Sequence, residues 1–466
     1  MEVISYANVK VEGFPFRKIV SMDIRHSPNG HGEAEITGEI DNEQAQGLIQ
    51  RVDEKLEVNI TTSAEGQPAK LFCGCVKGIS LQEENAYSQI RLQLYSTSRK
   101  LDITKEDKTY QNTSKTYGQI ISADIAEVGD LHMMVSDRAI GSLLMKYNET
   151  DWQFALRMAG KLGAPLVADL CSSRPQLYMG LPPARKTVRV DSRAFSFGSD
   201  DAGFGGEQVE TEEYAYIGDQ VCLNGGRNKY IRGVHAYLSD GIMHIKYELM
   251  DDGDSGAGSL SGSSGTGTGS ASGIAAPAAA SQASGKMMKG IVKAVSGDKV
   301  QVHLTDVDKS YDGGGNWWFP FSTAYSSSDG SGWYCMPEEG DEVRVFFPSG
   351  NEGEAFAASS VCMNPPTNPK NKSWKAPGGK EILLTEEGLY IIGKSGKIYI
   401  NLTDKDGVEI YSDKEINISS DAKVSISAAD ELHIIAQNEV IIGTEEAYID
   451  LTKNTATLAA SEVLIN

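Results

Sequence analysis

The stretch 408–443 reads VEIYSDKEINISSDAKVSISAADELHIIAQNEVIIG. Apolar pairs recur in it at Val408/Ile410, Ile416/Ile418, Val424/Ile426, Leu432/Ile434 and Val440/Ile442, a return of eight residues each time. Within each pair the residues lie two apart, so a β-strand places both on one face. Polar turns such as SDKE, SDAK and AADE separate the strands. Two inward residues per strand make a core too thin for one chain to offset the cost of ordering it. Three chains wound about a common axis solve the problem, because six inward side chains then fill each layer and neighbouring chains pair the backbone edges. The repeat therefore predicts a trimeric β-prism over 380–466, with layers about 4.8 Å apart and a length on the order of 50 Å.

Further pairs fall at Ile382/Leu384, Tyr390/Ile392 and Ile398/Ile400, before DKDG at 404–407 inserts two residues. Ile449/Leu451, Ala456/Leu458 and Val463/Ile465 carry the pattern to its end. The competing readings are a single-chain β-solenoid and ordinary surface strands. The calcium-binding form of solenoid needs GGxGxD repeats, and the sequence has none. The repeat speaks to architecture and is silent about chemistry.

Upstream, residues 252–285 (DGDSGAGSLSGSSGTGTGSASGIAAPAAASQASG) hold no aromatic residue and are mostly Gly, Ser, Ala and Thr. Such a composition cannot bury enough surface to fold, so 251–287 is expected to be a flexible linker between two separately folded parts. Before it, 1–250 is mostly β, with strand patterns at 33–41, 55–63, 71–79 and 87–96. Two amphipathic helices interrupt the strands. KTYGQIISADIAEVG keeps Tyr117, Ile120, Ile121, Ile125 and Val128 on one face, with Ser114 as cap. TDWQFALRMAGKLG opens on a Thr150/Gln153 capping box and stops at Gly163. After the linker, 288–362 reads as a five-stranded OB-type barrel with a hairpin turn at Ser296–Asp298 and strands at 317–321, 332–337 and within 341–361. Residues 363–379 connect it to the prism.

The chain has 466 residues, 43 Lys+Arg against 64 Asp+Glu, and a formal net charge of −21. That charge repels phosphate backbones and anionic bilayers, so nucleic acid is not an expected partner. No secretory signal is visible after Met1, and no apolar run is long enough to span a membrane. The six cysteines are sparse and read as reduced thiols; Cys73-Gly-Cys75 lacks the second pair that a zinc knuckle needs. His26, His31, His132, His235, His244, His303 and His433 form no HExxH and flank no recognisable nucleophile motif. The acid-rich stretches 207–214 and 337–342 read as solvated turns, and Trp317 and Trp318 as barrel core or a contact with the domain at 1–250. No catalytic, metal or cofactor-binding residue is assigned, and no enzymatic activity is expected.

Taken in order, these segments resemble the VgrG spikes of type VI secretion and the hub and needle proteins of contractile phage tails (the phage late control D family). The likeness rests on LFCGCVKGI (71–79), LDITKEDKTYQNTSKTYGQII (101–121), YNETDWQFALRMAGKLGAPLVAD (147–169), SGWYCMPEEGDEVRVFF (331–347) and GGKEILLTEEGLYIIGKSGKIYINL (378–402). It implies a mainly β chain: a hub with two β-barrel-like domains plus short helices, an OB-fold barrel, and a trimeric needle. As a homotrimer it would seat an inner tube protein on a pseudo-sixfold hub, contact baseplate proteins, and carry a PAAR-like tip protein and possible effector cargo. Assembly in the cytoplasm and delivery outside the cell or into a target envelope follow from the same likeness. Neither a lysozyme-like insert between barrel and prism nor an effector domain after the prism is expected. Two other functions compete: a peptidoglycan-degrading tail protein with a cryptic hub active site, which zymography would reveal, and a trimeric tail fibre.

Overall fold

A computed structural model describes residues 3–464 apart from 54–55, 64–68, 85, 192–195, 200–204, 252–273 and 312. It divides into two compact units, Met1–Met363 and Asn364–Asn466.

The first unit opens on a twelve-stranded sheet with two halves. One half holds the strands between Val9 and Ser96, the other those between Thr187 and Met250, and they join where Lys18–His26 pairs with Asn228–Ser239. The period-two pattern seen in the sequence is what buries its inner face: Ala34, Ile36 and Ile40 alternate with less buried neighbours, as do Ile90, Leu92 and Leu94. A short helix, α1 (Asn42–Ile49), was not foreseen; NEQAQGLI has no apolar stripe, and of its side chains Ala45 is in the core.

Helices α2 (Tyr117–Ile125) and α3 (Asp151–Leu162) share a second core. The cap of α2 is Thr116, whose hydroxyl accepts from the Gln119 backbone while the Gln119 side chain accepts from the Thr116 backbone, and not Ser114. Helix α3 follows its sequence closely. Thr150 and Gln153 close a capping box, and Gly163 ends the helix at φ 66°, a left-handed conformation that suits glycine.

Met287–Ser296, Lys299–Leu304, Trp318–Ser322, Phe356–Ser360 and Glu342–Phe346 close the expected barrel, with Gly297 (φ 58°) at the hairpin turn. Its interior is filled by Val292, Val300, Val302, Phe319, Val343 and Val345. Residues 332–337, expected as a strand, run irregularly. The fifth strand comes instead from dividing 341–361 in two.

The barrel does not hang from the hub on a leash. Residues 252–273 lie outside the described residues, but in the rest of the expected linker Ile274, Ala276, Ser281 and Ala283 are buried. Ile274 Oxygen accepts from Asn29 Nδ2 at 2.9 Å, Ala276 is buried in the helical core, and Ala283 is buried in the barrel core. The approach is tight because α3 carries Gly160: a Cβ there would stand 2.4 Å from the Pro277 carbonyl oxygen. Over 274–283 the small residues suit a close seam as well as they suit a coil.

The seam is also charged. Arg157 on α3 is 2% exposed. Its guanidinium donates to both Glu149 oxygens (2.8 and 2.7 Å), to the Met145 carbonyl (2.6 Å) and across the seam to Glu352 Oε1 (2.7 Å). Lys161 donates to the other Glu352 oxygen at 3.2 Å. Nearby, Leu143 and Met145 of the hub lie inside the barrel core, and Gln111 Nε2 donates to the Val302 carbonyl at 3.1 Å. A buried carboxylate is tolerated when cations and hydrogen bonds surround it, so Glu352 is stable only with the hub in place.

The second unit is a five-stranded antiparallel meander from Lys372 to Ser412 and a three-stranded one from Glu439 to Ala459.

Candidate functional site

The second unit's distinguishing surface is built by strand register. Cross-strand partners share a face, and the pairing aligns Ile382, Ile391, Ile400 and Ile410 in one row and Leu384, Leu389, Leu402 and Val408 in the next. In the shorter meander, Val440, Leu451 and Ala456 form one row and Ile442, Ile449 and Leu458 another. The register corrects one expectation. The inward pair of the second repeat is Leu389/Ile391, whereas Tyr390 stands opposite Leu383 and Asn401 on the other face. On that other face Tyr399 stacks on Tyr411 at 5.2 Å, and Glu409 accepts from Tyr399 Oη at 3.0 Å.

The aliphatic rows have nothing to pack against in one chain. Among the described residues of 364–464, none is buried. Between the meanders, 413–438 contains no strand paired within the chain, and Ile416, Ile418, Val424, Ile426, Leu432 and Ile434 are exposed, Ile418 to 72%. The closed interior of a solitary solenoid is therefore not formed. What the octads do fix locally is their turns. Ser412 Oγ accepts from the Lys414 backbone at 3.0 Å and Ser420 Oγ from the Ala422 backbone at 3.2 Å, and Thr444 and Thr452 close the later turns in the same way. A surface this apolar and this long marks an interaction site.

The histidines sit beside varied partners, and His235 and His244 both lie against the Tyr237 ring. His235 faces Asp23 (2.8 Å), His244 faces Glu210 (3.0 Å) and His433 faces Glu431 (2.9 Å). His132 meets Gln176, and His303 meets the Asp308 carbonyl. His26 is buried, and neither ring nitrogen finds a partner of good geometry. Burial pushes its pKa down from the usual 6.5 to about 4, only partly offset by the nearby Asp169 carboxylate.

One cluster has the composition of a nucleophilic triad, which the sequence did not reveal because His31 lies 67 residues from Ser98 and 71 from Asp102. Ser98 Oγ lies 2.8 Å from His31 Nδ1, and His31 Nε2 lies 3.4 Å from Asp102. Its groups are committed elsewhere. Ser98 is 1% exposed and hydrogen-bonds Ser96 Oγ at 2.8 Å; Asp102 accepts from Thr150 Oγ1 at 2.5 Å and from Arg99 at 2.6 Å. Through Thr150 the cluster braces the cap of α3. Among the described residues, no group of three His, Cys, Asp or Glu side chains is placed to hold a metal ion.

No family model and no curated protein matches the sequence. Solved structures do match the fold. The Escherichia coli c3393 protein, a component of the type VI secretion system described as structurally similar to the phage T4 tail proteins gp27 and gp5, aligns with a TM-score of 0.50 and 13% identity, over 76% of this chain and 99% of that one. A chain of the half-lidded Francisella PdpA–VgrG complex aligns with a TM-score of 0.52 and 9% identity, over 86% of this chain and 87% of that one. The lidded form of that complex gives 0.50 and 8%, over 87% and 79%. The chain thus has the mainly β fold of VgrG-like spikes.

Proposed function

We propose that the chain is the central spike of a contractile injection machine: hub, collar and needle in one polypeptide, working as a homotrimer. The observation that carries this reading is the aliphatic rows of the two meanders and the exposed octad pairs between them, none of which the described residues of the same chain bury. Two further copies cover it by symmetry, and every layer then has three equivalent edges to pair. The shared spike fold supports the same assignment. Work is mechanical in this reading. The hub, threefold and built of two similar halves, seats the hexameric inner tube and meets the baseplate. Force passes through the hub–barrel seam to the prism, whose interwound chains cannot leave one at a time. A small tip protein of the PAAR kind covers the strand edges at the far end, and effectors ride as cargo.

The test is imaging of sheathed particles from producing cells carrying a gold-labelled tag after Asn466. Label at the forward end of the tube is expected. Label at the tail periphery would make the chain a fibre instead.

A further inference from the structure

The strand Lys372–Lys375 falls within 363–379, the stretch whose sequence marks it as a connector, yet it is the first strand of the five-stranded meander. A tight turn fixes it there. The Ala376 N–H donates to the Lys380 carbonyl at 2.9 Å, the Gly379 N–H donates to the Ala376 carbonyl at 2.8 Å, and Gly379 takes φ 80°. The pairing sets Trp374 opposite Ile382 and Lys372 opposite Leu384. Cross-strand partners share a face. Trp374 therefore heads the row of Ile382, Ile391, Ile400 and Ile410, and Lys372 heads the row that begins at Leu384. Trp374 is 60% exposed in one chain. Lys372 Nζ donates to the Pro369 carbonyl at 2.6 Å, and on the opposite face Lys375 pairs with Glu381 at 3.4 Å.

We infer that Trp374 closes the N-terminal end of the needle's dry interior by packing against the same layer of a second copy of this chain. The inference rests on the threefold reading proposed above and adds a boundary to it. Trp374 and Ile382 stand in one row, so whatever covers the isoleucines covers the indole. The chain itself does not, because no described residue of 364–464 is buried. The two row heads show where the dry interior stops. An ammonium without a counter-charge is costly in an apolar interior, so the row of Leu384 gives way to water at Lys372. The outer edge of the strand pairs with no other strand among the described residues and carries Lys372 and Lys375, charges that discourage the addition of a further strand. Tryptophan suits such a boundary, with an apolar ring for the last dry layer and an N–H for the water beyond it. Three of these indoles, one from each copy, shield the layer of Ile382 and Leu384 from solvent.

The experiment reads the fluorescence of Trp374 in the full-length chain as the difference between the parent protein and a Trp374→Phe variant. That variant removes one of five tryptophans and keeps an aromatic ring. Native mass is measured on the same samples. In three-chain particles the difference spectrum is expected to be blue-shifted and protected from acrylamide. In an Ile426→Asp background, where an octad later in the chain is broken and the copies separate, it is expected to be red-shifted and freely quenched. A three-chain mass with Trp374 open to acrylamide overturns the inference and leaves the threefold reading standing, whereas a one-chain mass for the parent overturns both. A Trp374→Asp variant gives an independent reading by hydrogen exchange. Faster exchange over 381–392 than in the parent, with 439–459 unchanged, is expected once the end layer has lost its cover. Exchange equal to the parent's over 381–392 overturns the sealing role.

Discussion

The two units solve the problem of burial in opposite ways. Residues 3–363 fill three internal cores, and even the arginine at their seam is enclosed by its own chain. Residues 364–464 fill none; their aliphatic rows face outward from thin meanders. A chain rarely leaves so regular a row of Ile, Leu and Val in water unless another surface completes it. The first unit is a fold in the ordinary sense, while the second, in the proposed trimer, would be one third of a fold.

That contrast is easiest to break with an acid at an octad position. Ile426 is 67% exposed in one chain. If 364–464 works alone, Ile426→Asp is a surface change worth within about 0.5 kcal/mol. If three chains meet there, three carboxylates enter one dry layer, three aliphatic burials of about 1.5–3 kcal/mol each are lost, and the assembly falls apart. Gel filtration of the variant at micromolar concentration separates the two outcomes.

The seam supplies the matching test on the other side. Glu352→Ala leaves Arg157 and Lys161 short of a buried partner, and a loss of roughly 3–5 kcal/mol from the hub–barrel transition is expected in urea titrations. Oligomeric state should not change, because the octads are untouched.

Acid sharpens the difference further. His26 is neutral when folded, with a pKa of about 4 against the usual 6.5, so the unfolded chain takes up the proton first. Stability from this group is complete above about pH 6.5, falls as pH drops, and levels off below about pH 4, a total of about 3 kcal/mol. His26→Leu should flatten this part of the hub's acid limb in thermal melts from pH 7 to pH 4. No buried histidine exists among the described residues of the second unit to give it the same sensitivity.

The smallest effect belongs to the turns. Ser412→Ala and Ser420→Ala each remove one local hydrogen bond, worth about 0.5–1.5 kcal/mol per chain, and should lower the melting temperature of the needle by a few degrees without altering its mass.

What was legible in the sequence was local or periodic. The box Thr150/Gln153 and the stop at Gly163 are set within one helix, and the barrel hairpin is set by its turn. The octad signal is periodic, yet LYII at 389–392 offers two apolar pairs of opposite parity, Leu389/Ile391 and Tyr390/Ile392. Only pairing with Ile382 and Leu384 selects the first, since a one-residue slip turns every side chain over. The seam was invisible for a different reason. Arg157 and Glu352 are 195 residues apart, and nothing near either residue announces the other.

The central claim is threefold association, and the native mass of the purified full-length chain tests it most directly. Native mass spectrometry at low micromolar concentration should give three times the 50.2 kDa chain mass, with no monomer. A 50.2 kDa species alone, still soluble and with its aliphatic rows open to solvent, would contradict it.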